Sequence, residues 1–221
     1  MKLNIAVVSL TVAVAFAGDT QAAALYDNLA ATTTGLTQAY SRGEYLANSF
    51  STASTSFRVT SVSLLLFGDP LAAADPNGVV TVTLSADAPN TPGPIDPYPN
   101  SPGNLIAVLG TISEAAAVSG AQIYSFSTSQ LLAPKSVDWI GLTASTSDGV
   151  FAWAYEHDQA AGGYAFDSTQ NIHSPLDGQD AYQMRISGAV VPEPASWALM
   201  LVGFDGLGAA ARTRRVAHLA I

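Results

Sequence analysis

Apolar and polar side chains alternate along much of the central part of the chain. Residues 57–67 are rich in β-branched and aromatic side chains and end at a Gly-Asp-Pro turn. In residues 79–85, Val80, Val82 and Leu84 share one face of an extended segment that follows an Asp-Pro-Asn-Gly turn. A period of two with such residues is typical of half-buried strands. Both segments are therefore predicted to be β-strands.

Further segments show weaker versions of the same pattern, and no segment has the 3.6-residue period of an amphipathic helix. These segments are residues 45–50, 105–112, 121–127, 137–144, 150–156, 163–167 and 181–190. Gly, Pro, Asn and Asp separate them. Eight to ten short strands in this arrangement predict an all-β fold, an antiparallel β-sandwich that resembles a jelly roll.

Residues 88–104 interrupt this pattern with six of the twelve prolines in the chain. Proline cannot donate to a sheet ladder, so the segment is predicted to leave the sheet as an extended surface loop. We favour the interpretation that this loop is a tolerated insertion over the alternative that it is a recognition loop presenting Tyr98.

The first 24 residues have the three regions of a secretory signal peptide. Met1 and Lys2 form a positive start, residues 3–17 are apolar, and three alanines at 22–24 suit signal peptidase. Cleavage is predicted after Ala24, with Ala22 and Ala17 as alternatives. The exported domain then covers residues 25–190.

Residues 191–221 carry a second targeting pattern. Its elements, in order, are Pro192, Glu193 and Pro194, then Trp197 and Ala198 within an apolar segment at 195–211, and the basic stop Arg212, Arg214 and Arg215 at 212–215. Seventeen residues span roughly 25 Å as a helix, which is near the lower limit for a transmembrane segment. The positive-inside rule then predicts a cytoplasmic C-terminus.

This order closely resembles the PEP-CTERM sorting signal of Gram-negative bacteria, in its Pro-Glu-Pro-x-x-Trp-Ala variant. The resemblance implies that an exosortase, a membrane enzyme, cuts at or near residues 192–194 and removes the helix. Glu193 would then belong to a recognition element. Asp205 departs from the usual pattern, because an aspartate inside the span costs about 2.5 to 3.5 kcal/mol on insertion scales.

The start of the mature region has a looser resemblance. Residues 25–28, 46–51 and 59–66 resemble the "choice-of-anchor R" exported domains, which precede several kinds of surface-attachment signal. The resemblance implies an extracellular β-domain and no defined chemistry.

Charge and cysteine content limit the possible partners of the exported domain. Residues 25–191 hold four basic and fourteen acidic residues, and the whole chain contains no cysteine. An acidic surface repels phosphate backbones and anionic lipids, so nucleic acid is excluded as a partner. Disulfides are absent, so stability must come from one apolar core.

Catalytic patterns are missing from the exported domain. Its histidines are His157 and His173, and the chain has neither a Gly-x-Ser-x-Gly elbow nor a His-Glu-x-x-His zinc motif. His157 beside Asp158 is interpreted as an ordinary surface pair. A polysaccharide hydrolase would need paired carboxylates, such as Glu156 and Asp158.

Two weaker ligand patterns remain. Asp75, Asn77, Asp177 and Asp180 lie in turns and are candidate ligands for a structural calcium ion, which is the only candidate cofactor. Asp and Asn are also ordinary turn residues. Trp153, Tyr155 and Tyr164 are candidates for stacking on sugar rings. For Trp139 and Trp153, a place in the core is the favoured interpretation.

The sequence therefore predicts a non-enzymatic exported protein of the cell surface or extracellular matrix. Its processing partners would be signal peptidase and an exosortase, and it would be held in the inner membrane by the C-terminal helix before sorting. Association with exopolysaccharide or biofilm is expected from the family resemblance. The alternatives are a carbohydrate-binding module and, second, a polysaccharide-active hydrolase.

Overall fold

The computed structural model describes residues 23–38, 45–69, 75, 77–89, 100–146, 149–157, 165–167, 172–173 and 180–191. Within these ranges the chain forms β-strands and one short 3-10 turn, Glu114–Ala116, and no α-helix. The strands are β1 Ala23–Asp27, β2 Gly35–Gln38, β3 Leu46–Ser51, β4 Phe57–Gly68, β5 Val79–Pro89, β6 Asn100–Ser113, β7 Gly120–Leu132, β8 Val137–Ala144, β9 Phe151–Glu156, β10 Ala165–Asp167, β11 Ile172–His173, β12 Ala181–Tyr182 and β13 Met184–Val190. The prediction of an all-β protein is confirmed.

The described strands form two antiparallel sheets. The seven-stranded sheet is built around β4, which pairs with β13, β7 and β9, while β1 extends it beyond β13. β7 occupies one edge of β4, and β13 and β9 share the other edge, where β9 also pairs with β2 and β12. The six-stranded sheet has the order β11-β10-β3-β8-β5-β6.

One apolar core joins the two sheets. Val62, Leu64 and Leu66 of β4 belong to the same buried cluster as Leu84 of β5 and Ile140 of β8. Each of these side chains is almost fully buried, and each such burial contributes about 1.5 to 3 kcal/mol. The alternation read from the sequence therefore identifies the inward faces correctly, and the sheets form a sandwich.

The proline-rich loop is shorter than predicted. β5 continues to Pro89 and β6 begins at Asn100, with Pro102 opposite Asp87 in the ladder. β6 is the last described strand of its sheet, so every second backbone N–H points away from β5 and makes no ladder hydrogen bond. Proline, which has no N–H, is tolerated in such an edge strand. Residues 90–99, which include Tyr98, lie outside the described residues.

Three strands were missing from the sequence prediction, namely β1, β2 and β11. β1 pairs with β13, and its first residue Ala23 lies opposite Gly188. The predicted strand at 181–190 is divided at Gln183 into β12 and β13. These short strands have weak alternation, so only tertiary pairing defines them.

The sandwich has two distinct ends. At one end, which we call the Val191 end, the Val191 N–H donates to the carbonyl of Ser56, and the Lys135 N–H donates to the carbonyl of Ala53. At the other, the Glu114 end, the Glu114 N–H donates to the carbonyl of Gly78. The start of β1 lies beside the end of β13, so both described chain ends are at the Val191 end.

A buried glutamine occupies the point where three strands meet. The Gln183 N–H donates to the Ala154 carbonyl of β9, and its own carbonyl accepts the N–H of Leu65 in β4. Its side chain donates to the carbonyls of Asn28 and Ala31. The amide oxygen accepts the hydroxyl of Thr33 at 2.6 Å. Every hydrogen-bonding group of Gln183 is therefore in use.

Two buried asparagines extend this polar network. Asn28 Nδ2 donates to the Tyr182 carbonyl, and its Oδ1 accepts the Met184 N–H at 2.7 Å, so the side chain bridges β12 and β13. Asn48 of the six-stranded sheet accepts the Tyr182 N–H at 2.9 Å and donates to the hydroxyl of Tyr26. The two sheets are thus linked by hydrogen bonds as well as by apolar contact.

We expect Gln183→Ala to lower the free energy of unfolding by about 3 kcal/mol, because the carbonyls of Asn28 and Ala31 lose their donor in the interior. The exposed Gln122→Ala is the control, and it should change stability by no more than about 0.5 kcal/mol. Urea unfolding of the two variants measures the difference. Equal effects would show that the junction does not depend on the amide.

Candidate functional site

The predicted glycan-stacking face does not form around Trp153. This side chain is fully buried, it stacks on Tyr182 with ring centroids 4.7 Å apart, and its indole N–H donates to the Gln183 carbonyl at 3.0 Å. The assignment of Trp153 to a sugar platform is therefore wrong, since no face of its ring is open. The alternative interpretation, that Trp139 and Trp153 belong to the core, is confirmed.

The two tyrosines of that face have different outcomes. Tyr155 is half-buried and its ring covers Gly35, where an added Cβ would lie 2.2 Å from the tyrosine hydroxyl. Tyr164 lies outside the described residues. One half-buried ring that is packed on the backbone is a small surface for a sugar.

The first predicted calcium turn closes on itself through hydrogen bonds. Asp75 Oδ1 accepts the Asn77 N–H at 2.8 Å, and the Asp75 carbonyl accepts the Gly78 N–H at 2.9 Å. This is the pattern of an Asx turn. In the described part of the chain, no group of three or more His, Asp or Glu side chains is placed to share a metal ion.

Glu114 lies against this turn, and sequence reasoning did not select it. Its side chain is 2 % exposed, Oε1 accepts the hydroxyl of Thr146, and Oε2 has no hydrogen-bond partner among the described residues. A Cβ added to Gly78 would lie 2.1 Å from Oε2. An oxygen buried beside an Asp-Asn turn is chemically suited to a hard cation. Glu114 falls outside every motif in the sequence, so no local signal pointed to it.

In the second predicted calcium turn, Asp180 contacts a histidine. His157 Nδ1 and Asp180 Oδ1 are 2.7 Å apart, and about half of the histidine side chain is exposed. Asp180 has a φ of 71°, in the left-handed region that Asp tolerates better than most residues. An exposed pair of this kind contributes at most about 1 kcal/mol. Asp177 and Asp158 lie outside the described residues.

Two carboxyl groups meet in a pocket at the Val191 end. The pocket has a volume of about 410 Å³, and Ile106 and Leu131 supply apolar walls beside Asp87 and Asp138. Asp138 Oδ2 accepts the Ser136 hydroxyl at 2.6 Å, and Asp87 Oδ1 accepts the Trp139 indole N–H at 2.9 Å. These bonds give both carboxyl groups a structural task.

The electrostatics of this pair are uneven. Burial raises the pKa of Asp138, the Ser136 hydrogen bond opposes that rise, and the nearby Asp87 charge adds to it. A carboxyl with a raised pKa beside a second carboxylate is one arrangement used in acid–base catalysis. Of the predicted pair Glu156 and Asp158, Glu156 is fully buried and Asp158 lies outside the described residues.

The predicted sorting motif begins at residue 192, directly after the last described residue. Val191 is hydrogen-bonded to Ser56 at the Val191 end of the sandwich, and residues 192–221 lie outside the described ranges. Among the residues that the structure describes, none forms a helix with the length and hydropathy of a membrane span.

No family model matches the sequence of this chain, and no curated protein matches it either. The likeness to PEP-CTERM signals and to choice-of-anchor R domains therefore depends only on the residues quoted above.

We expect Asp138→Asn to stabilise the protein more at neutral than at acidic pH. Because the folded pKa lies above the unfolded one, the contribution of Asp138 is favourable below the unfolded pKa and is lost as pH rises through the folded value. Urea unfolding at about pH 3 and about pH 7 tests this, with exposed Asp69→Asn as the charge control. A stability difference that does not vary with pH would contradict it.

We expect Glu114→Gln, measured in chelator, to change the free energy of unfolding by no more than about 1 kcal/mol, because Oε2 has no hydrogen bond to lose among the described residues. The Thr146 hydrogen bond to Oε1 can be kept. Thermal unfolding with and without calcium is the measurement. If calcium raises the melting temperature of the wild type and not that of Glu114→Gln, Glu114 is a cation ligand.

Proposed function

We propose that this chain is a non-enzymatic, exported protein of the bacterial cell surface or extracellular matrix, sorted by an exosortase-type system and associated with exopolysaccharide. The observation that carries this proposal is the order of residues after β13. A Pro-Glu-Pro motif at 192–194, an apolar segment at 195–211 and a basic stop at 212–215 follow the domain directly. The same order is expected of a substrate that is held in the membrane and then released or attached.

The position of the chain ends supports this proposal. β13 ends at Val190, so the motif follows the sandwich with one intervening residue. Ala24, the predicted site of signal-peptide cleavage, lies opposite Ser187 in the β1-β13 ladder. Processing at both sites would act at the Val191 end and leave the Glu114 end to face away from the membrane.

The tasks of the acidic side chains support a non-enzymatic role. Asp87 holds the Trp139 indole and Asp138 holds Ser136, while Asp27 pairs with Arg185 at 2.8 Å. The remaining acidic surface suits a soluble protein in a hydrated matrix.

We expect Glu193→Ala to accumulate as an unprocessed, membrane-held form in a host with an exosortase, because the processing enzyme should read Glu193. Asp205→Leu is the control. It should improve membrane insertion by about 3 kcal/mol and leave processing intact. Blotting of membrane and extracellular fractions for chain length measures both.

Equal processing of wild type and Glu193→Ala would show that the motif is not used, and residues 195–211 would then be a plain membrane anchor. N-terminal sequencing of the envelope form supplies a second check, since it should begin near Leu25. Recovery of intact Met1 in a soluble cytosolic form would overturn the localisation.

A glycan array with the processed protein separates the proposal from its first alternative. The proposal expects no tight, ring-specific binding, since Trp153 is closed to ligands. Binding that is lost in Tyr155→Ala would favour a carbohydrate-binding module. Release of reducing sugar that is lost in Asp138→Asn would favour a hydrolase that uses the Asp87–Asp138 pair.

A further inference from the structure

Sheet edges in the described structure are mostly protected against pairing with other chains. β1 has five residues and a register shift, β2 has four residues, and β11 has two. β6 is long, but its ladder with β5 is interrupted by three register shifts. Short strands and β-bulges are the devices by which natural proteins make edges unsuitable as templates.

β7 is the exception among these edges. It has thirteen residues, and among the described strands it pairs only with β4. From Gly120 to Ser127 the register against β4 is unbroken, with Gly120 opposite Gly68 and Ser127 opposite Ser61, and the one register shift of this ladder lies beyond Ser127. The strand contains no charged residue and no proline. A long, regular and uncharged edge presents a row of free N–H and C=O groups to any partner strand.

The side chains that point outward from β7 are small, hydroxylated or apolar. Ala121, Ser125 and Ser127 are exposed, and Ile123 is 59 % exposed. None of them opposes the approach of an identical strand through charge. The chain as a whole carries a net charge of −9, so two copies repel each other over most of their surfaces. An uncharged strand is where that repulsion is weakest.

We propose that β7 pairs with β7 of a second copy of this chain, antiparallel and about a two-fold axis perpendicular to the sheet. An antiparallel edge is its own complement under such an axis, so one surface supplies both halves of the interface. The ladder would join two seven-stranded sheets into one continuous sheet. Ile123 and the serines beside it would face their counterparts across the axis. The pairing does not depend on the proposed export.

Disulfide cross-linking of single-cysteine variants of the full chain, kept in mild detergent, tests this pairing. The chain has no cysteine, so Ala121→Cys, Ile123→Cys, Ser125→Cys and Ser127→Cys each carry one thiol. Oxidation should give disulfide-linked dimer that peaks at the position nearest the axis and falls on either side of it. Leu105→Cys on β6, also 59 % exposed, is the matched control and should give at least about fivefold less dimer.

A second pair of variants measures affinity without a cross-link. Ile123→Lys places two lysines near each other in the ladder and should weaken the dimer about tenfold in sedimentation, whereas Leu105→Lys should not. Equal cross-linking at all β7 positions and at residue 105 would overturn the proposal, since random collision or association through residues 195–211 gives no peak. A wild type without dimer, or cross-links only to other proteins, would also overturn it.

Discussion

The hydrogen bonding of Gln183 is the constraint on which the rest of the structure depends. At this residue the strand at 181–190 changes partner from β9 to β4, and a change of partner inside a sheet leaves backbone groups without a ladder. Asn28 supplies the missing partners, because its side chain bonds the Tyr182 carbonyl and the Met184 N–H, and the Gln183 side chain holds the segment from Asn28 to Ala31 in place. The apolar core can be continuous across the junction because the backbone and amide groups of Gln183 and Asn28 have hydrogen-bond partners within the protein.

Much of the fold follows from alternation, and the exceptions have physical causes. Residues 57–67 and 79–85 are predicted as strands because they are rich in β-branched and apolar side chains that alternate with polar ones. β1 and β2 are not, because short edge strands are defined by neighbours far away in sequence. Pro102 argued for a loop, yet an edge strand tolerates proline. The division at Gln183 depends on hydrogen bonds that no local pattern encodes.

The candidate sites were less predictable than the fold. Asp75 and Asn77 were recognised as a turn, but Glu114, the carboxylate beside it, comes from a segment with no motif. The pocket with Asp87 and Asp138 joins β5 to β8 across distant positions, so spacing in the sequence could not reveal it. Trp153 shows the reverse problem, since an aromatic residue in a strand has the same local pattern in a core as on a binding face.

The position of β13 has a mechanical consequence for a protein attached at its C-terminus. β13 lies between β1 and β4, with seven residue pairs against β4, and the chain leaves it along the strand axis at Val191. Inter-strand hydrogen bonds are perpendicular to the strands, so in the proposed tethered form a pull on the C-terminus would load them in shear, and all would have to break together. Drag on the domain would then be resisted by the centre of the sheet and not by an edge strand that can be peeled away one bond at a time.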